Sequence, residues 1–217
     1  MGSEESNVVR GHRRLGVLIS GRGSNLQALI EATRDGGVDA EIAIVISNRE
    51  DAVGLERARE AGIEAIVLSH RGWPSRADYD SALVRELKAR NVGLVCLAGF
   101  MRLVGAPLIE AFPNAILNIH PSLLPAFPGI DAQRQAVEHG AKVSGVTVHF
   151  VTAELDGGPI IVQRSVPVLD DDTAATLGDR ILEEEHRAYQ DAVRIVLEGN
   201  WSIDGRRFVR SRRPAST

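Results

Sequence analysis

The chain has 217 residues, 44% of them hydrophobic and 25% charged, which supplies a sizeable globular core for one or two domains. Its formal net charge of −4 argues against a global nucleic-acid footprint, and its single cysteine, Cys96, excludes an intrachain disulfide and a thiolate metal cluster. No apolar run reaches membrane-spanning length and residues 1–12 hold no apolar signal core, so the expectation is a soluble, cytoplasmic protein with no membrane attachment.

Residues 1–12 are polar and read as a disordered tail. Residues 15–20 form a first strand, Gly21-Arg22-Gly23-Ser24-Asn25 the turn behind it, and Leu26, Leu29 and Ile30 then recur at helical spacing. A second strand covers 41–47, a helix 54–61, and a third strand 64–68. Ser75 with Asp78 resembles a capping box, with Asp in place of Glu, opening a helix to about residue 90. Strands four and five, at 94–98 and 115–119, are short, apolar and rich in β-branched residues. A short helix follows at 131–139, then strands at 145–151 and 160–168. Asp172 or Thr173 can cap a long helix to about residue 198, and Asp204-Gly205 within 201–209 signals a hairpin. Arg206, Arg207, Arg210, Arg212 and Arg213 make the C-terminal end basic; it reads as solvated, with 210–217 a tail.

Strands alternating with helices predict an α/β fold: a doubly wound, mostly parallel, Rossmann-like sheet with helices on both faces. The late strands add an antiparallel edge. With no linker or repeat, 13–209 reads as one domain. Ligands of such sheets lie beyond the carboxyl ends of the strands. Polar or glycine-rich stretches fall there after strands one, two, four and five.

Four places carry possible chemistry. In Ile116-Leu117-Asn118-Ile119-His120-Pro121, strand alternation puts Asn118 and His120 on one face, and Pro121 ends the pairing. They are either a core pair satisfied by backbone or an amide donor beside an imidazole. The Gly21-to-Asn25 turn is either an ordinary βα connection or a phosphate cradle at a helix N-terminus. A dinucleotide is disfavoured, because Leu26 stands where a third glycine belongs and Ser47-Asn48, not an acid, end strand two. In Leu155-Asp156-Gly157-Gly158-Pro159, Asp156 either binds its own backbone in a surface turn or swings against His120. Glu185 lies on the apolar stripe of Leu177, Ile181, Tyr189, Ala192 and Val196, so it is paired with an arginine or lines a site. His149 reads as a satisfied core histidine, and Cys96 as a buried packing residue.

Taken together, residues 21–27 (Gly-Arg-Gly-Ser-Asn-Leu-Gln), Ala98-Gly99-Phe100-Met101-Arg102, the 118–125 segment and Leu155-Asp156-Gly157-Gly158-Pro159 resemble the folate-dependent phosphoribosylglycinamide formyltransferases, in family order over about 15–209. The resemblance implies transfer of a formyl group from 10-formyltetrahydrofolate, a cosubstrate, to the amine of glycinamide ribonucleotide, with no metal. It implies small-molecule partners only, no nucleic acid, and a monomer or homodimer. Asn118, His120 and Asp156 correspond to the family's catalytic trio. Gly23, Ser24, Asn25 and Glu185 correspond to its ribonucleotide contacts. Arg76, Met101, Arg102, Leu103 and Val104, with Asn118 and with Thr152, Ala153, Glu154, Leu155 and Asp156, correspond to its folate contacts. A cis Leu124–Pro125 peptide is implied as well. The departure is Ile130-Asp131-Ala132-Gln133, where relatives often carry His. A formyltetrahydrofolate hydrolase and a methionyl-tRNA formyltransferase are the nearest alternatives; the first is expected to need an extra N-terminal domain, the second a C-terminal one.

Overall fold

The computed structural model describes residues 13–211. The tail expected over 1–12 and all but the first two residues of the one expected over 210–217 lie outside that range.

Five parallel strands form the first part of the sheet: β1 (Arg14–Ile19), β2 (Glu41–Ser47), β3 (Ala65–Val67), β4 (Leu94–Leu97) and β5 (Ile116–His120). Their spatial order is β3-β2-β1-β4-β5. The apolar runs of β1, β2 and β4 are buried without alternation, as strands covered on both faces must be. Two antiparallel strands follow, β6 (Val143–Phe150) and β7 (Ile160–Pro167), and then the hairpin of β8 (Trp201–Asp204) and β9 (Arg207–Arg210). β9 joins β7 in parallel through Ile160 and Arg207.

The helices are α1 (Ser24–Arg34), α2 (Gly54–Glu60), α3 (Arg76–Ala89), α4 (Ala106–Ala111), α5 (Ala132–Glu138) and α6 (Ala174–Glu198). α1 and α5 pack on α6, α1 on α2, and α3 on α4. α4 has no counterpart in the sequence reading. It is six residues long with only Leu108 buried, too short to show a period. Ser75 does cap α3, accepting from Asp78 N. Thr173, not Asp172, caps α6, because Asp172 is taken by Arg180 and the Leu169 amide.

The chain order reverses between β1 and β4. Beyond their carboxyl ends lies the crevice where ligands of such sheets bind. α6 is locked below it: the buried Tyr189 hydroxyl lies 3.0 Å from Leu97 O and 3.2 Å from Leu117 O, bridging β4 and β5. The far edge is closed by Phe150, Trp201 and Phe208, whose ring centroids lie 5.2–6.0 Å apart. β9 takes in Arg210, expected to open the tail, because that residue pairs with Trp201. Among the described residues no helix is long and apolar enough to cross a membrane.

Candidate active site

Asn118 and His120 leave β5 on one face, as alternation requires, and the partner strand completes the group. β6 runs antiparallel with Asn118 opposite His149 and His120 opposite Thr147. His149 Nδ1 lies 2.8 Å from Phe150 O, so it carries the hydrogen. Its Nε2 is then the acceptor, 3.2 Å from Asn118 Nδ2. Burial holds the His149 pKa below its ordinary value, which keeps the ring neutral and able to accept. Asn118 therefore spends one amide hydrogen on His149 and keeps the other.

His120 Nε2 donates to Phe127 O at 2.8 Å, which leaves Nδ1 to face Asp156. Asp156 Oδ2 stands 3.6 Å from His120 Nδ1, and Oδ1 stands 3.7 Å from His149 Nε2. Both are longer than hydrogen bonds: the His120 approach is at ion-pair separation, and the neutral His149 only borders the carboxylate. The carboxylate's close partner is Gly129 N, at 2.8 Å. Asp156 is thus no surface-turn aspartate: its side chain is 8% exposed. Its approach is indirect. β6 ends beside the start of β5, with Phe150 opposite Leu117, so the segment after it must fold back over the sheet to reach His120. Gly158 permits this, since a Cβ there would stand 1.8 Å from Phe150 O.

Thr147 holds the loop after His120. Its hydroxyl donates to Ser122 O at 2.6 Å and accepts from Leu124 N at 3.0 Å. Gln163 bonds both Thr147 and Leu124 O. The Leu124–Pro125 peptide is cis, as the resemblance implies.

At the crevice, Gly23 precedes α1 in the left-handed region (φ 71°), where a Cβ would meet Gly54 Cα at 2.7 Å. No side chain caps α1, so its first amides face the turn. Asn25 Nδ2 donates to Glu185 Oε2 at 2.7 Å, while among the described residues Asn25 Oδ1 has no partner. Glu185 is paired with an amide, not the arginine considered above. Burial raises its pKa, opposed by the Asn25 hydrogen bond and by the charges of His120 and Arg22.

The region 13–193 matches the formyl transferase family. The chain belongs to that family. It is 44% identical over 190 residues to phosphoribosylglycinamide formyltransferase of Escherichia coli K12, covering 88% of this chain and 87% of that one. It is 51% identical over 189 residues to the trifunctional purine biosynthetic protein adenosine-3 of Drosophila melanogaster; the match takes 86% of this chain but spans only 14% of that protein. A crystal structure of glycinamide ribonucleotide transformylase 1 from Symbiobacterium toebii superposes with a TM-score of 0.90 at 58% identity, covering 92% of this chain and 94% of the other.

In this member of the formyl transferase family, the segment expected to meet folate follows β4. Ser20 and Asn48, buried at the ends of β1 and β2, hold its start. Met101 N donates to Ser20 Oγ at 2.8 Å, and Ser20 Oγ donates to Asn48 Oδ1 at 2.6 Å. Buried Asp80 holds its end, accepting from Gly105 N at 2.6 Å; burial raises its pKa. Between them Met101 and Leu103 stay exposed, and the Arg102 guanidinium lies over the Tyr79 ring, 5.5 Å from its centroid. Thr152 to Asp156 form the segment that folds back, with Ala153, Glu154 and Leu155 exposed. Arg76 opens α3 beside Gly105.

Sequence reading missed His149, Ser20 and Asp80 as parts of the site, and placed Asn48 only within a polar stretch on the ligand side. Each is polar and buried, but its partner is distant in sequence: 31 residues for His149, 25 for Asp80, 81 for Ser20. His149 alone carried a local signal, alternating on the same strand face as Thr147.

Proposed function

We propose that this formyl transferase moves the formyl group of 10-formyltetrahydrofolate onto the amine of glycinamide ribonucleotide, giving formylglycinamide ribonucleotide and tetrahydrofolate in purine synthesis. The observation that carries the reading is the convergence of Asn118 and His120 from one strand and Asp156 from a returning loop, next to an uncapped helix start. The names of the Escherichia coli and Symbiobacterium relatives support it.

The ribonucleotide phosphate sits on the first amides of α1, with Gly23, Ser24 and Asn25 around it. Glu185 and the unpartnered Asn25 Oδ1 take the hydroxyls of the ribose. Folate lies against Met101 to Val104 and Thr152 to Asp156, with Arg76 and Arg102 near its anionic end. The amine attacks the formyl carbon, and negative charge builds on the formyl oxygen. Asn118 meets that oxygen with the amide hydrogen His149 does not use. His120, with one N–H held by Phe127 O, adds positive charge beside it when a proton on Nδ1 points at Asp156. As the new C–N bond forms and the C–N10 bond breaks, Asp156 takes the amine's proton through water and returns it to N10. The described residues act as one cytoplasmic domain over 13–209, as a monomer or homodimer.

The test follows tetrahydrofolate release from 10-formyltetrahydrofolate with and without glycinamide ribonucleotide. Release that depends on the ribonucleotide is expected. Equal release without it would make the protein a hydrolase and end this reading.

A further inference from the structure

The basic C-terminal arginines do not all face solvent idly. The turn between β8 and β9 presents Arg206, whose Nη2 donates to Gly157 O at 2.7 Å while Nη1 meets Glu154 Oε2 at 3.1 Å. These contacts fall on either side of Asp156. The hairpin lies beyond the 13–193 region that matches the family, yet it grips the segment that carries a carboxylate of the candidate site. The grip has a firm base. Trp201 and Phe208 pack with Phe150 at the end of β6, and Arg207 pairs with Ile160 where the same segment rejoins the sheet.

The segment needs holding. Asp156 sits at φ 50°, a left-handed conformation that Asp tolerates but that persists only where surroundings fix it. From one side Gly129 N holds the carboxylate. From the other, the segment's own bonds are long, Gly157 N to Glu154 O at 3.3 Å and Thr152 Oγ1 to Glu154 O at 3.4 Å, and Arg206 adds two contacts on its flanks. A planar guanidinium fork spans a carboxylate and a carbonyl with less ordering than a flexible ammonium needs.

We infer that Arg206 is a positioning residue: it clamps the segment at Glu154 and Gly157 so that Asp156 faces His120 and His149. The inference rests on the formyl-transfer reading for its kinetic arm only.

The experiment compares Arg206→Ala and Arg206→Lys with Arg210→Ala, a control on the same hairpin that breaks an exposed pair with Glu198 of α6. Displacing a catalytic group by about 1 Å can cost about 10²-fold, so a loosened segment should lower kcat roughly tenfold. The KM for the formylfolate should rise a few-fold, and that for the ribonucleotide should stay within about twofold, because Asn25 and Glu185 lie on other elements. Arg206→Lys should fall between, and Arg210→Ala should match the parent. Independently of any activity, amides of 152–158 should exchange hydrogen at least about tenfold faster in Arg206→Ala, while those of β6 keep their protection. Unchanged exchange would overturn the clamp, as would a loss of kcat accompanied by equal rises in both KM values. Faster exchange in a protein that transfers no formyl group would keep the clamp and overturn the proposed reaction.

Discussion

His149 shows how much one side chain depends on its neighbours. Buried and neutral, it accepts from Asn118 and sets which amide hydrogen stays free, the one proposed to meet the formyl oxygen. Asn118→Ala should lower kcat roughly 10²–10³-fold with both KM values within a small factor, the usual loss for one oxyanion donor. His149→Phe keeps the ring volume but removes the acceptor. It should cost roughly tenfold in kcat by letting Asn118 turn, and His149→Gln, which offers an amide oxygen, should recover part of that. Steady-state kinetics on the three variants decide this; a His149→Phe enzyme as fast as the parent would leave the histidine a packing residue. Asp156 and His120 stand at ion-pair distance and should act as one unit. The Asp156→Asn/His120→Ala double variant should therefore be little slower than the worse single variant, and multiplicative losses would mean that they work separately.

At the scale of elements, the site is a meeting of strand ends, and α6 keeps those ends in register. The Tyr189 hydroxyl is fully buried, and burial lifts its pKa well above the ordinary value, so it remains an un-ionised donor to Leu97 O and Leu117 O. Tyr189→Phe fills the same space but removes the one hydroxyl hydrogen that the two carbonyls share. It should cost about 1–3 kcal/mol in urea unfolding, the penalty for buried polar groups left unsatisfied. A loss under about 0.5 kcal/mol would show that the carbonyls find other partners. The helix itself was legible in advance: a cap at Asp172 or Thr173 and an apolar stripe marked its 25 residues. α4 was not, since six residues cannot show a period.

For the molecule as a whole, Glu185 makes stability depend on pH in an unusual direction for a carboxylate. Burial raises its folded pKa above the ordinary 4.5, so the folded state prefers the proton. Its contribution to stability is fully present below the unfolded value and is lost as pH rises through the folded one. Glu185→Gln stays neutral at every pH and keeps the hydrogen-bonding shape. The variant should match the parent's thermal midpoint near pH 4 and exceed it increasingly above, while its KM for the ribonucleotide rises. Thermal melts across that range test the sign; a variant less stable than the parent at pH 8 would contradict it. A site carboxylate that costs stability at neutral pH fits a group held for binding.

The sequence alone determined what local rules govern. Continuous apolar runs between helical periods dictated the parallel sheet, and the strand-to-helix turns marked its carboxyl edge as the ligand side. Alternation placed Asn118 and His120 on one face, and the stripe of α6 carried Glu185 inward. Long-range pairing decided the rest. Register set His149 against Asn118, since antiparallel partners are chosen across strands and not along them. Asp156 was recognisable as a residue with chemistry, yet its strand ends at the opposite edge from His120, and only the fold-back allowed by Gly158 brings the two together. Arg206 read as part of a solvated basic end because its partners, Glu154 and Gly157, lie 52 and 49 residues earlier, a separation that only tertiary packing closes.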